Sequence, residues 1–268
     1  MDKLTIFLLP PVFRGFIALI VSGAVFPLCG VTIIRLNLIP LRYMLMHGVI
    51  LGGAIALAFS LPLVPVTIAV NTILVLVMIK FTRNSSFGFG SSSAAVMVLG
   101  MAFASLLTHI ADVPAKDTLD LLWGSPFALT NKDFAVLFIL AVIIAVYLAI
   151  NLKNVLALFY NAEVASSLGI NVRFHYTLMV LIIAFTVALA IKLLGAFLID
   201  ALLILPVLFA ASLLKKSHGI KRLFALSCVS GLAFAVAGYF LAVVLDLPPG
   251  ATIAVIASLA YAVSLTVK

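Results

Sequence analysis

The sequence predicts an all-α protein, a polytopic transmembrane helical bundle of about eight or nine spans, on three observations. Hydrophobic residues make up 66% of the 268 residues and charged residues 9%, against roughly 45–50% and about 25% in a water-soluble domain. So few charges do not cover the surface of a soluble fold of this size. The apolar residues come in runs of about 20, the length that crosses a ~30 Å hydrocarbon core at ~1.5 Å per residue. The runs also lack the alternation of a membrane β-barrel, and lipid then leaves helices as the spanning structure, because it offers backbone groups no hydrogen bonds.

Nine segments follow in order: Val12–Ile34, Tyr43–Leu61, Val64–Phe81, Ala94–Ile110, Phe134–Leu152, Tyr176–Leu193, Ala196–Leu214, Leu223–Leu245 and Ala251–Val267. Pro and Gly mark the joints at Leu61-Pro62-Leu63-Val64-Pro65 and Leu247-Pro248-Pro249-Gly250. The first run lacks a basic leader and a small-residue cleavage site, so it reads as a retained span rather than a signal peptide. Cys29 and Cys228 both lie inside apolar runs and read as small buried hydrophobes. The chain reads as one transmembrane domain, 1–268. Two connections exceed a tight turn. Ala111–Asp133 is acidic and holds the only Trp, Trp123, suited to a membrane interface. Lys153–His175 contains Asn161 to Gly169, which reads as a short helix ended by glycine.

The formal charge is +8. With the N-terminus outside and the segments alternating, the inner side receives Arg35, Arg42, Lys80, Arg83, Lys153, Arg173, Lys215, Lys216, Lys221, Arg222 and Lys268. Only Lys3, Arg14, Lys116, Lys132 and Lys192 fall outside, and Asp2, Asp112, Asp117, Asp120, Asp133 and Asp246 join them there. This is the positive-inside pattern of a multi-pass protein of the cell (inner) membrane. It accounts for the basic balance without a nucleic-acid partner.

There is no phosphate-binding G-x-x-x-x-G-K-[ST], no H-E-x-x-H and no C-x-x-C, and Gly88-Phe89-Gly90 is too short for a dinucleotide fingerprint. The chain reads as non-catalytic, with no covalently bound cofactor. Ionisable residues within spans are functional candidates, because they are expensive there. Asp200, inside Gly195 to Pro206, faces either a water-filled path or a partner such as Lys192. His47 suits a first-row transition metal, and Met44 and Met46 offer soft thioethers. Residues two apart do not share a helix face, whereas Tyr43, four residues before His47, does. The alternative for His47 is a hydrogen-bonded structural role. His109, His175 and His218 lie near span ends and are expected to be solvated. Pro206 removes a backbone hydrogen bond midway along its span and predicts a hinge-like kink. Gly52, Gly53, Ala54, Ala56 and Ala58 allow close helix approach.

Several of these stretches, taken together, carry a resemblance. Gly195-Ala196-Phe197-Leu198-Ile199-Asp200-Ala201-Leu202-Leu203-Ile204-Leu205-Pro206, running on to Ala210, resembles a G-x-L-L-V-x-A-L-L-I-x-P-A-A-T-A segment. Glu163, Ala165, Gly169 and Ile170 match a D/N-x-E-x-A-x-x-x-G-I region, and Asp246 to Thr252 a D-x-P-x-G-A-x-I segment. His47 and Gly52 fall on D-x-x-x-H-x-x-x-x-G, and Asp120-Leu121-Leu122-Trp123-Gly124 is a weaker match to L-x-x-Y-L-F-G. In order and spacing the chain resembles the membrane permeases of zinc and manganese ABC importers.

The resemblance implies an ABC-importer permease fold, a second copy of the permease, a cytoplasmic ABC ATPase dimer and an extracellular or periplasmic solute-binding protein. It implies ATPase coupling through Glu163, Ala165 and Gly169, a metal or substrate path past His47, Tyr43 and Asp200, and a divalent metal, zinc or manganese, as cargo. Three positions depart from the family pattern. Tyr43 stands where the family has Asp, Asp200 stands at a usually small or neutral position, and Ser85-Ser86-Phe87 lacks a frequent acidic residue. Losing a hard anionic ligand at Tyr43 leaves an organic solute or metal chelate as an alternative cargo. An ion-coupled secondary transporter using Asp200, or a structural membrane anchor, are alternatives of other classes.

Overall fold

The computed structural model describes residues 9–84, 88–114, 125–214 and 219–266. Among them, nine helical spans are long and apolar enough to cross a membrane, matching the nine apolar runs. The helices are α1 (Pro10–Arg35), α2 (Ile39–Ala58), α3 (Leu63–Asn84), α4 (Gly88–Ile110), α5 (Asn131–Tyr160), α6 (Ala162–Ser167), α7 (Val172–Leu194), α8 (Ala196–Leu203), α9 (Leu205–Leu213), α10 (Ile220–Leu245) and α11 (Pro249–Thr266). Trp123, Ser85 to Phe87, Asp120 to Gly124, Lys215, Lys216 and His218 lie outside the described residues, as does the side chain of Lys192.

The long connection after α5 is shorter than the sequence suggests. α5 runs eight residues past its apolar run, to Tyr160, and α7 begins at Val172. Thr130 and Asp133 close a reciprocal capping box at the start of α5, satisfying donors that the first helical turn leaves without partners. Asp246, in the left-handed region at φ 56°, ends α10, and Pro249 opens α11 three residues on.

The chain divides into two compact units. The first joins α1, α5, α6, the start of α7 and α8 through α11. Here α1 packs against α5, α9 and α10, and α9 against α10 and α11. The α1–α10 crossing is close because glycines face each other. A Cβ on Gly23 would lie 2.7 Å from the carbonyl oxygen of Gly231 and 2.8 Å from the Ala235 methyl. At the other end Tyr239, fully buried, donates its hydroxyl to the Val12 carbonyl at 2.5 Å and stacks on Phe16. Arg14 reaches the Leu129 carbonyl at 2.8 Å, holding the 3₁₀ turn Pro126–Ala128 beside α1.

The second unit holds α2, α3, α4 and residues 179–196. α2 packs on both α3 and α4. On α4 the buried positions are Ser92, Ser93, Val96, Gly100 and Ala104, while Val98, Leu99, Met101, Phe103 and Leu106 point outward. The small residues face protein and the large apolar ones face outward, as lipid requires. α5 in the first unit shows the same outward stripe in Phe138, Ile139, Val142, Ile143, Val146 and Ile150.

Gly23→Leu or Gly231→Leu overfills the α1–α10 crossing and is expected to destabilise by about 1–3 kcal/mol. Phe138→Leu, on the outward stripe, is expected to be near neutral. Thermal unfolding of the detergent-purified protein checks the contrast.

Candidate functional site

The candidate residues fall in three places, beginning with α2. Pro40 stands in its first turn, where a missing N–H leaves no gap. The four-residue spacing sets the His47 ring over the Tyr43 carbonyl, and Nδ1 meets that oxygen at 2.8 Å. A carbonyl only accepts, so Nδ1 carries a proton, and in the neutral ring Nε2 carries the lone pair. Half-buried His47 is thus a prepared nitrogen donor. Tyr43 is 44% exposed, with the Arg42 guanidinium 4.3 Å from its ring centroid. Met44 is fully buried and Met46 half-buried, so the two thioethers differ in setting, as their spacing requires.

Across from this stretch stands a residue that sequence reasoning missed. Asn71 of α3 is 1% exposed, and neither its Nδ2 nor its Oδ1 has a hydrogen-bond partner among the described residues. An amide buried in this way costs about 1–3 kcal/mol. Its carboxamide lies against Gly48, the residue after His47, and Thr67 lies against Gly52. The available signal was the matched four-residue spacing of Thr67/Asn71 and Gly48/Gly52 on two neighbouring spans.

The second place is the α8–α9 break. Pro206 has no N–H to give the Leu202 carbonyl, and the span is interrupted at Ile204, whose carbonyl accepts from both Val207 and Leu208, at 3.1 and 3.0 Å. The helix is interrupted two residues before Pro206. Ser230 of α10 donates to the Pro206 carbonyl at 3.2 Å. Asp200 is half-buried one turn before the break, and its backbone carbonyl accepts the Ile204 N–H at 3.2 Å. Gly195, at φ 94°, is the single residue between α7 and α8, a conformation L side chains disfavour. Tyr43 and His47 share α2 in the second unit, whereas Asp200 belongs to the first. Among the described residues no three His, Cys, Asp or Glu side chains gather to hold a metal ion.

The third place is the α5–α6–α7 turn. Asn161 caps α6, its Oδ1 accepting from Glu163 N at 2.7 Å and Val164 N at 3.2 Å. At the other end Gly169 takes φ 80°, with Gly169 N bonded to Ser166 O at 2.9 Å and Ile170 N to Ala165 O at 3.1 Å. That pair of bonds is the Schellman motif, which requires glycine or a residue tolerant of the left-handed region. The short helix ended by glycine is therefore present. Ala165 is buried, whereas Val164 and Leu168 are 45% and 70% exposed. An open depression lined by Glu163, Ser166, Arg173 and Tyr176 adjoins it.

One expectation is corrected here. His175 is not solvated but 7% exposed, because the first turn of α7 presents it to α5. Asn154 Nδ2 lies 3.2 Å from its Nε2, and the Tyr147 hydroxyl 3.1 Å from its Nδ1. An amide nitrogen only donates, so Nε2 accepts and Nδ1–H donates to Tyr147. His109, at the end of α4, is exposed as expected.

Among the described residues, nine apolar spans, one of them broken, define a multi-pass membrane protein. Residues 9–268 match the ABC 3 transport family, and the chain belongs to that family. It is 26% identical over 267 residues to a Chlamydia muridarum protein named "Probable metal transport system membrane protein", covering 97% of this chain and 89% of that protein. It is 29% identical over 151 residues to the manganese transport system membrane protein MntC of Listeria innocua, covering 55% of this chain and about half, 52%, of the relative. Its fold matches that of the solved PsaBC of Streptococcus pneumoniae in complex with Fab, with a TM-score of 0.83 at 20% identity, covering 98% of this chain and 94% of that one.

His175→Ala strands the Tyr147 hydroxyl and the Asn154 amide, and Tyr147→Phe strands the buried His175 Nδ1–H, so each is expected to cost about 1–3 kcal/mol. Thermal unfolding in detergent reads both.

Proposed function

We propose that the chain, as one permease domain, is the membrane-spanning subunit of an ATP-powered importer that carries a divalent metal ion, zinc or manganese, into the cytoplasm. The observation that carries this reading is α6. A six-residue helix capped at both ends, with Val164 and Leu168 exposed, is a rigid knob between two long helices. Such a knob suits a cleft in a cytoplasmic ATPase. Two permease copies enclose one path, and an ATPase dimer docks on the two α6 helices. Nucleotide binding and hydrolysis, in the separate ATPase subunits, move α6 as a body and bias the spans between outward and inward openings. The permease supplies position and motion and carries no hydrolytic step. A solute-binding protein delivers cargo on the outer face. His47 and Tyr43 in the second unit and Asp200 in the first are the candidate path residues, each taken by itself, with Pro206 as a hinge. Metal cargo is supported by the names of the relatives and by the Nε2 lone pair of His47.

The test is metal-stimulated ATP hydrolysis and uptake by the permease reconstituted with its ATPase and binding protein. No response to zinc or manganese sinks the metal reading, and failure to co-purify with an ATPase sinks the importer reading. Gly169→Val forces a branched side chain into the left-handed region at the end of α6, at a cost of about 1–2 kcal/mol. It is expected to leave the spans folded and lower transport at least about tenfold.

A second reading rests on Tyr43. An aromatic ring under a guanidinium, in place of an anionic ligand, favours an organic solute or metal chelate. Growth on limiting metal separates the two. For a metal path, Tyr43→Asp is expected to retain or raise uptake, while His47→Ala lowers it. For a chelate, Tyr43→Asp is expected to abolish uptake.

A further inference from the structure

We propose that Asn71 is a ligand of the transported ion, its carboxamide oxygen coordinating a divalent first-row cation in transit beside His47. The assignment rests on the metal-importer reading and adds a residue to that path.

A structural asparagine in a helical bundle uses its amide on a neighbour. Elsewhere in this chain that rule holds. Asn151 Nδ2 donates to the Tyr147 carbonyl at 3.1 Å, and Asn154 Nδ2 to His175. Ser93 donates to Met78 Sδ and Ser230 to the Pro206 carbonyl, although the buried Ser227 hydroxyl, like Asn71, has no partner among the described residues. Asn71 departs from it, at 1% exposure with both polar atoms unpaired among the described residues. In hydrocarbon such a group persists where something outside the fold uses it.

Its carboxamide packs against α2 beside His47. Gly48 leaves room for the carboxamide on α2. A Cβ there would lie 3.1 Å from Asn71 Cγ and 2.7 Å from Leu74 Cδ1, and nearest of all to Asn71 Oδ1. The residue before Gly48 is His47, whose Nδ1–H is committed to the Tyr43 carbonyl and whose Nε2 keeps a lone pair. The Asn71 carboxamide therefore lies against the residue that follows His47 in α2. One nitrogen and one oxygen suit the borderline first-row cations. Both donors are neutral, so an ion held by them is released readily, as transit requires. The arrangement also answers the loss of an anionic oxygen at Tyr43 with a neutral one from the next helix.

The experiment measures uptake of radiolabelled zinc and manganese, and metal-stimulated ATP hydrolysis, in proteoliposomes holding the whole transporter. A wild-type complex that ignores both metals overturns the importer's metal reading and this assignment with it. Given a responding wild type, Asn71→Leu is expected to keep expression and melting temperature, since it removes a desolvated amide, while cutting uptake at least about tenfold. Asn71→Asp is expected to keep uptake and shift preference from zinc towards manganese, because an anionic oxygen is harder than an amide. Wild-type uptake in Asn71→Leu overturns the assignment. So does loss in Asn71→Leu and Asn71→Asp alike with a lowered melting temperature, which marks a structural residue.

Discussion

Hydrocarbon offers no hydrogen bonds, and the rest of this molecule is arranged around that lack. Backbone donors and acceptors pair within helices, and hydroxyls on the spans fold back onto their own turns. Ser22 bonds Ala18 O, Thr32 bonds Leu28 O, Thr72 bonds Ile68 O and Thr186 bonds Ile182 O. Since lipid is as apolar as leucine, burial of apolar surface does not by itself bring two spans together. Contact instead follows from close backbone approach, so glycine, alanine and serine lie at the crossings and leucine, isoleucine and phenylalanine face outward.

The places where this economy is relaxed are few. The α8–α9 span gives up a backbone hydrogen bond at Pro206 and uses the Ile204 carbonyl twice. Among the described residues the Asn71 amide and the Ser227 hydroxyl are buried without a partner. A protein that must open on alternate sides of a bilayer needs helices that bend and polar groups whose partners come and go.

The α5–α6–α7 turn solves a different problem, which is to keep a very short helix rigid. Six residues do not hold a helix by propensity. α6 is held by its ends instead, with Asn161 supplying acceptors at one and Gly169 closing the other. A second asparagine, Asn171, caps the next helix by accepting from Phe174 N at 3.0 Å. Behind the turn, Tyr147, Asn154 and His175 tie α5 to α7.

The span count, the short glycine-ended helix, the break near Pro206 and the burial of Cys29 were legible in the sequence, whereas Cys228, read the same way, is only half-buried. Each depends on local chemistry: run length, a left-handed cap, a missing N–H. The helix ends were less legible, because α5 continues through Lys153 and Asn154, where the apolar run had already stopped. The settings of His175 and Asn71 were not legible at all. A histidine near a span end reads as solvated until the neighbouring helix is known to present a tyrosine and an asparagine to it. A neutral asparagine in an apolar run is unremarkable until its amide is found without a partner. The sequence by itself determined what crosses the membrane, since that is set by transfer of each segment into lipid. Only the tertiary structure decided which polar atoms are satisfied, because hydrogen bonding between helices depends on which faces meet.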